Sequence, residues 1–302
     1  MTSVPVTAQL AGKAAARRAG RRGGRGLGVA RRPGARTYVV LTLVLLVSLY
    51  PLYYSFLLAS ADAPYIAQHP LPGLIPQGRF LENVRRVLES GIPFWKALAN
   101  STFVSAVSAV SVVFFATLAG FAFSKLRFRG KRGLLVVVVA TMALPSQLGV
   151  IPLFIVMARL GWSGHLIAVI VPALVSAFGV FWMTQYLDAA LPSELIDAAR
   201  VDGASLARTF WSVALPTARP AAAMLALFNF IGHWTSFFWP FIILDPRNPV
   251  LPTALQTLQA SYFKDYSLVM AGVIMTTIPL LLLFVVAGKQ LVAGIMAGAV
   301  KG

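Results

Sequence analysis

The chain has 302 residues, 58% hydrophobic and 12% charged, with a mean hydropathy of +0.78. Soluble globular proteins carry roughly 25% charged residues, so this composition places most of the chain in lipid. With no cysteine, disulfides and thiolate metal sites are excluded, and His69, His165 and His233 lie too far apart for a structural metal.

The net charge of +17 is unevenly spread. Residues 1–36 hold nine Lys/Arg (Lys13, Arg17, Arg18, Arg21, Arg22, Arg25, Arg31, Arg32, Arg36) and no acid, in a Gly- and Ala-rich setting typical of disorder. A nucleic-acid-binding arm is the rival reading. No aromatic residues interleave these arginines to stack on bases, so the segment reads as a topogenic cytoplasmic tail and no nucleic acid is expected as a partner.

A membrane-crossing helix needs roughly 20 mainly apolar residues. The first runs from Tyr38 to Ala59 without a charge. Ala59-Ser60-Ala61 looks like a signal-peptide cleavage site, but the apolar run and the basic segment before it are both long for a signal peptide, so an uncleaved first span is expected. Further spans are predicted over 97–123, 134–157, 166–187, 221–244 and 267–287, making residues 37–302 an all-α polytopic membrane domain of six transmembrane helices. Pro145 and Pro152 fall in the third, Pro172 and Gly179 in the fourth and Pro279 in the sixth, tolerable where neighbouring helices satisfy the freed backbone groups. Ser101, Ser105, Ser108 and Ser111 form a stripe on the second span, suited to close helix packing or, alternatively, to lining a pore.

Loop charges set the orientation. Nineteen Lys/Arg lie on the side of the two termini and seven on the other, or ten against seven without the tail. The positive-inside bias therefore predicts both termini in the cytoplasm. The outer segments are then 61–96 and 245–266. Tyr262, Phe263 and Tyr266 in the latter read either as a membrane-boundary belt or as contacts for an extracellular partner. Trp234, Phe237, Phe238 and Phe241 cluster near the outer half of the fifth span, where they serve either packing or stacking on a transported ligand.

The cytoplasmic segment after the fourth span reads Leu191-Pro192-Ser193-Glu194-Leu195-Ile196-Asp197-Ala198-Ala199-Arg200-Val201-Asp202-Gly203-Ala204. Pro192 suits the first helical position, Glu194 and Asp197 the positive dipole end, and Gly203 a left-handed stop. Leu191, Leu195, Ala198 and Ala199 fall on one face of a short amphipathic helix and Ser193, Asp197 and Arg200 opposite. A turn and a second short helix ending at Pro216 are expected to follow. An interfacial helix would show basic and bulky residues; this one is acidic with two alanines and suits a groove on another protein.

Asp197-Ala198-Ala199, then Gly203, Val213 and Leu215-Pro216, resemble at this spacing the Glu-Ala-Ala, Gly, Ile and Leu-Pro pattern of the EAA motif of binding-protein-dependent importer permeases. Asp for Glu and Val for Ile are the departures. The resemblance extends over about 37–302. Pro145-Ser146-Gln147 with Ile151-Pro152, the surroundings of Trp234 and the closing Gly288-Lys289-Gln290 to Gly302 are similar to the maltose-type second permease subunit. Thr235, where this branch often has Asn, departs from it.

The resemblance implies a multi-pass bacterial cell-membrane subunit of an ATP-driven importer of a di- or oligosaccharide. A second permease, two ATP-binding subunits and an extracytoplasmic sugar-binding protein are its implied partners. Glu194, Leu195, Asp197, Ala198, Ala199, Asp202, Gly203, Ala204, Leu215 and Pro216 would form the coupling helix and its flanks, against one ATPase. Trp234, Phe237, Phe238 and Phe241 would line the substrate path, and Tyr262, Phe263 and Tyr266 would meet the binding protein. No Gly-x4-Gly-Lys-Ser/Thr loop is present; the stretch around Gly20–Gly26 lacks that spacing. ATP and Mg are therefore expected in partner subunits, with no cofactor, metal or catalytic residue in this chain. The competing readings are an ion-coupled carrier, which commonly buries ionisable groups in its spans, and an intramembrane enzyme, which needs a nucleophile with its base or paired carboxylates. The spans as drawn hold no Asp or Glu and no such group.

Overall fold

The computed structural model describes residues 34–69, 73–262 and 265–299, and the chain divides into two compact units, 1–53 and 54–302. Within the first, the described residues form most of α1 (Ala35–Ala59), whose apolar side chains from Tyr38 to Leu49 are exposed, as a lipid-facing surface requires.

The second unit holds the end of α1 and then α2 (Ala63–Gln68), α3 (Phe80–Glu89), α4 (Phe94–Lys125), α5 (Lys131–Thr141), α6 (Val150–Arg159), α7 (Ile167–Ile170), α8 (Ala177–Ala190) and α9 (Ser193–Val201). It continues with α10 (Leu206–Thr209), α11 (Leu215–Trp234), α12 (Phe238–Ile243), α13 (Leu251–Ser261) and α14 (Tyr266–Ala299). The described residues form no strand beyond an isolated bridge between Gly164 and Leu244. Five helical stretches are long and apolar enough to cross a membrane: Ala35–Ala59, Phe94–Lys125, Ile167–Ala190, Leu206–Trp234 and Tyr266–Val286.

Two expected spans are redrawn. The third, expected over 134–157, is two shorter helices, α5 and α6, separated by a turn, an extended Pro145 (φ −58°, ψ 123°) and a 3-10 turn at Ser146–Gly149. Proline lacks the N–H an α-helix would use and disfavours helical geometry in the residue before it. The fifth starts 15 residues earlier than the expected 221, because the helix does not end at Pro216. It runs from Leu206 to Trp234 through a π turn at Phe210–Ala214, where the Leu215 N–H donates to the Phe210 carbonyl. In a regular helix the Pro216 ring would press on the Ser212 carbonyl; the wider turn accommodates it. The same helix ends at Trp234, and α12 carries the chain on to Ile243.

α4 is the central helix of the second unit, packed most extensively on α8 and α11. Lipid gives apolar helices no hydrophobic drive to associate, so small residues that let backbones approach supply the packing. At Gly120 an added Cβ would lie 2.7 Å from Met183 Cβ and 2.9 Å from the Thr184 nitrogen; at Gly179 it would lie 3.1 Å from Ala116 Cβ. Val112, Ala116 and Phe121 of α4, Met183 and Leu187 of α8, and Ala218, Ala221 and Leu225 of α11 fill the resulting core. The serine stripe of α4 faces protein. Ser101, Ser105 and Ser108 are buried; Ser101 Oγ accepts the Leu251 N–H at 2.8 Å, and Ser111 Oγ donates to the Leu174 carbonyl at 3.2 Å.

A polar chain ties the end of α1 to α3 and α14. Buried Asn83 donates to the carbonyls of Ala59 (2.9 Å) and Ala61 (2.8 Å) and accepts from Arg86 (3.0 Å). Arg86 in turn pairs with Asp265 at 2.6 Å, and Asp265 also accepts from the Ser267 hydroxyl and the Leu268 N–H at the start of α14. Burial alone would raise the Asp265 carboxyl above the usual carboxylate range; the hydrogen bonds from Ser267, Arg86 and Leu268 outweigh it and hold the group lower.

Two outcomes follow from this packing. Gly120→Val should destabilise the detergent-solubilised protein by about 1–3 kcal/mol, the usual cost of overpacking. Gly133→Val, with nothing within 4 Å, should cost less; thermal unfolding followed by size-exclusion recovery compares them. Because the folded Asp265 carboxyl titrates below its unfolded value, its contribution is complete above about pH 4 and is lost as pH falls through the lower folded value. Asp265→Asn should therefore lower stability at pH 7 and make it less acid-dependent below pH 4, measured by unfolding across that range.

Candidate docking loop

The chain leaves α8 in extended geometry at Leu191 (φ −111°, ψ 102°) and Pro192 (φ −60°, ψ 142°), and α9 begins at Ser193. Pro192 is thus the residue before the helix and not its first member, a small correction. Glu194 sits in the first turn of α9 and Arg200 in the last, each of the sign its end of the helix dipole favours. Arg200 and Asp197 approach to 3.5 Å, but both are more than half exposed, so the pair adds little stability.

The stop at Gly203 is a Schellman turn. Gly203 has φ +73°, its N–H donates to the Arg200 carbonyl at 3.0 Å, and the Ala204 N–H donates to the Ala199 carbonyl at 2.9 Å. Both bonds recover carbonyls the helix end would orphan, and they require the left-handed conformation glycine adopts without a Cβ penalty. A Cβ at Gly203 would meet nothing within 4 Å. Ser205 then opens α10, its Oγ accepting the Arg208 N–H at 3.2 Å.

The loop is anchored from below. Leu191 is fully buried, and Ile196 and Phe210 are 3% exposed, all three in the core cluster with Phe121, Met183 and Leu187. The Phe210 ring lies 6.0 Å from that of Phe121 and 6.3 Å, edge-on, from that of Phe114. Lys125 at the end of α4 reaches the Asp188 carbonyl at 3.2 Å. The shared face expected for Leu191, Leu195, Ala198 and Ala199 is not formed. The extended Leu191–Pro192 step takes Leu191 out of helical register and into the core, while Leu195 is 49% exposed.

Glu194, Leu195, Asp197, Ala198, Asp202 and Gly203 are exposed along one continuous segment, with Ala199 and Ala204 half-buried. Val201, at 88% exposure, adds an apolar side chain to this surface. Leu215 and Pro216 stand apart in the first turn of α11, where Leu215 packs on the core cluster. Val201 and the anchors Ile196 and Phe210 were not assigned roles from sequence; two large aliphatic residues off the Leu195–Ala198 face were the available signal.

The other sequence-derived residues are placed as follows. Trp234 is 5% exposed, donates Nε1 to the Thr276 carbonyl at 3.2 Å and stacks on Phe230. Phe237 and Phe241 stack at 5.0 Å and, with Phe238, are exposed. Phe241 also lines a cavity of about 210 Å³ with Asp245, Pro246, Pro249 and Thr257. Hydrogen bonds from the Arg247 side chain and backbone hold the Asp245 carboxyl down at about 2. Tyr262 and Tyr266 are exposed, while Phe263 lies outside the described residues. Among the described residues no three His, Asp or Glu are grouped to hold a metal.

A helical bundle with long apolar spans, and a loop keyed to its core beneath an open outer surface, defines a multi-pass membrane component. Residues 112–288 match the family described as binding-protein-dependent transport system inner membrane component, and the chain belongs to that family. It is 33% identical over 215 residues to the arabinooligosaccharides transport system permease protein AraQ of Halalkalibacterium halodurans, covering 71% of this chain and 76% of that one. It is 32% identical over 209 residues to the lactose transport system permease protein LacG of Rhizobium radiobacter, covering 69% and 74%. Among solved structures, a bacterial ABC transporter involved in the import of the acidic polysaccharide alginate contains a chain that superimposes with a TM-score of 0.69 at 26% identity, over 84% of this chain and 94% of that one.

If Ile196 holds the loop to the core, Ile196→Ala should cost about 2–5 kcal/mol locally. Trypsin cleavage at Arg200 should then be at least tenfold faster than in wild type, whereas Leu195→Ala, on the exposed surface, should leave the rate nearly unchanged.

Proposed function

We propose that this chain is the permease subunit of an ATP-driven, binding-protein-dependent importer of a di- or oligosaccharide. Both termini lie in the cytoplasm, and α9 fills a cleft on one of two partner ATPase subunits. A second permease completes the path, and a sugar-binding protein delivers substrate at the outer face, where Tyr262, Phe263 and Tyr266 meet it. ATP and Mg reside in the ATPase subunits, and this chain has no hydrolytic site of its own. The relatives' named substrates, arabinooligosaccharides and lactose, support a carbohydrate. Phe237, Phe238 and Phe241 are the exposed aromatic faces available to a sugar ring.

The single observation that carries this reading is the division of labour within α9. Ile196 and the preceding Leu191 are locked into the span core, while Leu195, Ala198 and Val201 present exposed apolar surface. A partner pressing on that surface acts directly on α4, α8 and α11 through Ile196 and Phe210. An ion-coupled carrier would have no use for such a surface and would need ionisable groups inside its spans.

The test is co-purification of the tagged chain in mild detergent. Wild type should recover a second polytopic permease and an ATPase with a Walker motif. Gly203→Asp should remain in the membrane but lose the ATPase, since a Cβ at φ +73° is disfavoured and the added carboxylate enters the open space above the loop. Recovery of the chain alone, transporting sugar in liposomes on an ion gradient without ATP, would sink the proposal.

A further inference from the structure

Between α4 and the helix running from α10 into α11 lies an apolar groove of about 340 Å³, lined by Phe114, Leu118, Phe121, Phe210 and Trp211. At Leu126 and Leu206 it opens into a second hollow of about 520 Å³, lined by Lys125, Arg127, Ser193, Asp197 and Arg200. Arg127 also borders a third hollow with Lys131 and Arg132. The two compartments share those leucines and differ sharply in chemistry: one is hydrocarbon-like, the other holds three cations against a single carboxylate.

The cations differ in commitment. Lys125 is held by Asp188, Lys131 donates to the Ser124 and Leu126 carbonyls, and Arg200 faces Asp197. Arg127 and Arg132 are exposed and make no hydrogen bond or ion pair among the described residues. Trp211, 57% exposed on the groove wall, is the residue type that settles at the boundary between hydrocarbon and headgroups.

We propose that this groove and the two hollows that meet at Arg127 bind one anionic phospholipid of the surrounding bilayer, an acyl chain in the groove and the phosphate against Arg127 and Arg132. Cationic hollows at the ends of membrane helices attract anionic headgroups, and the apolar slot that shares Leu126 and Leu206 with the hollow selects a lipid over a soluble anion. An acidic protein surface could meet the arginines, but it would leave the slot unfilled. Because Ser193, Asp197 and Arg200 of α9 form one wall of the hollow, the headgroup would lie directly against the docking helix and set its resting position. The inference rests only on the chain's membrane setting, and is independent of the transported substrate and of the protein partners.

The experiment places the full chain in phosphatidylcholine nanodiscs carrying a trace of phosphatidylglycerol with a photoactivatable acyl chain. The same label on phosphatidylcholine is the comparison, and labelled peptides are mapped by mass spectrometry. The phosphatidylglycerol label should concentrate on peptides spanning 114–126 and 206–211, well above the phosphatidylcholine label. Arg127→Gln with Arg132→Gln should lower affinity by about 25-fold, taking roughly fivefold for each surface cation removed. The corresponding double lysine variant should restore most of it. Leu118→Trp, which fills the groove and leaves the charges in place, should also abolish the labelling. Equal labelling by both lipids, or labelling indifferent to both charge removal and groove filling, would overturn the proposal. Labelling present in the isolated chain but lost in its purified complex would assign the hollow to a protein partner and overturn it equally.

Discussion

Where α4 crosses α8, the backbones at Gly120 and Met183 pass so closely that a single methyl group has no place between them. That approach is the constraint on which the second unit depends. Two apolar helices in lipid gain nothing from hiding from water, so their association must come from van der Waals contact over a close crossing. Gly120, Ala116 and Gly179 make the crossing close, and Leu225 of α11 then wedges against Gly179 to complete the trio. Everything attached to α8 inherits its position from this contact, and the segment attached to its end is the loop that carries α9.

The loop is accordingly a rigid extension of the bundle. Its short helix would be marginal on its own, since helices below about 12–15 residues gain too little to offset their nucleation cost. Tertiary anchoring supplies the difference: Leu191 and Ile196 on one side, Phe210 on the other, with a Schellman turn at Gly203 fixing the angle between α9 and α10. A surface built this way is fixed to the span core that α4, α8 and α11 share. Membership in the binding-protein-dependent transport family gives that property its place in the proposed cycle.

Much of this was visible in the residue string. Charge-free runs marked the long helices, and the order Asp197-Ala198-Ala199, Gly203, Leu215-Pro216 marked the loop, because both patterns are local. Gly203 could be assigned a left-handed stop because few other residues end a helix so readily. The failures share one cause, which is that hydropathy records composition and is blind to backbone geometry. Pro145 breaks the third apolar run although no charge interrupts it, and the segment from Leu206 to Pro216 joins the fifth span although it carries Arg208. Leu191 was placed with Leu195 by counting 100° steps across Pro192, where the chain is extended and the counting does not apply. The anchoring of Ile196 and Phe210 needed the α4–α8 packing, which no short-range pattern contains. For Trp234 the sequence left packing and substrate stacking both open; its burial and the bond from its indole nitrogen to the Thr276 carbonyl place it in packing.

The unbroken helix from Leu206 to Trp234 has 29 residues, which at 1.5 Å each makes a rod of about 43 Å. One end stands beside the loop that carries α9 and the other is tied to α14 by the Trp234–Thr276 bond. A rod of that length, tilted by about ten degrees, sweeps its far end through roughly 7 Å by plane geometry. That distance is on the order of a whole side chain. The π turn at Phe210–Ala214 lies near the loop end of the rod, where a small change in bend is magnified over the greatest remaining length.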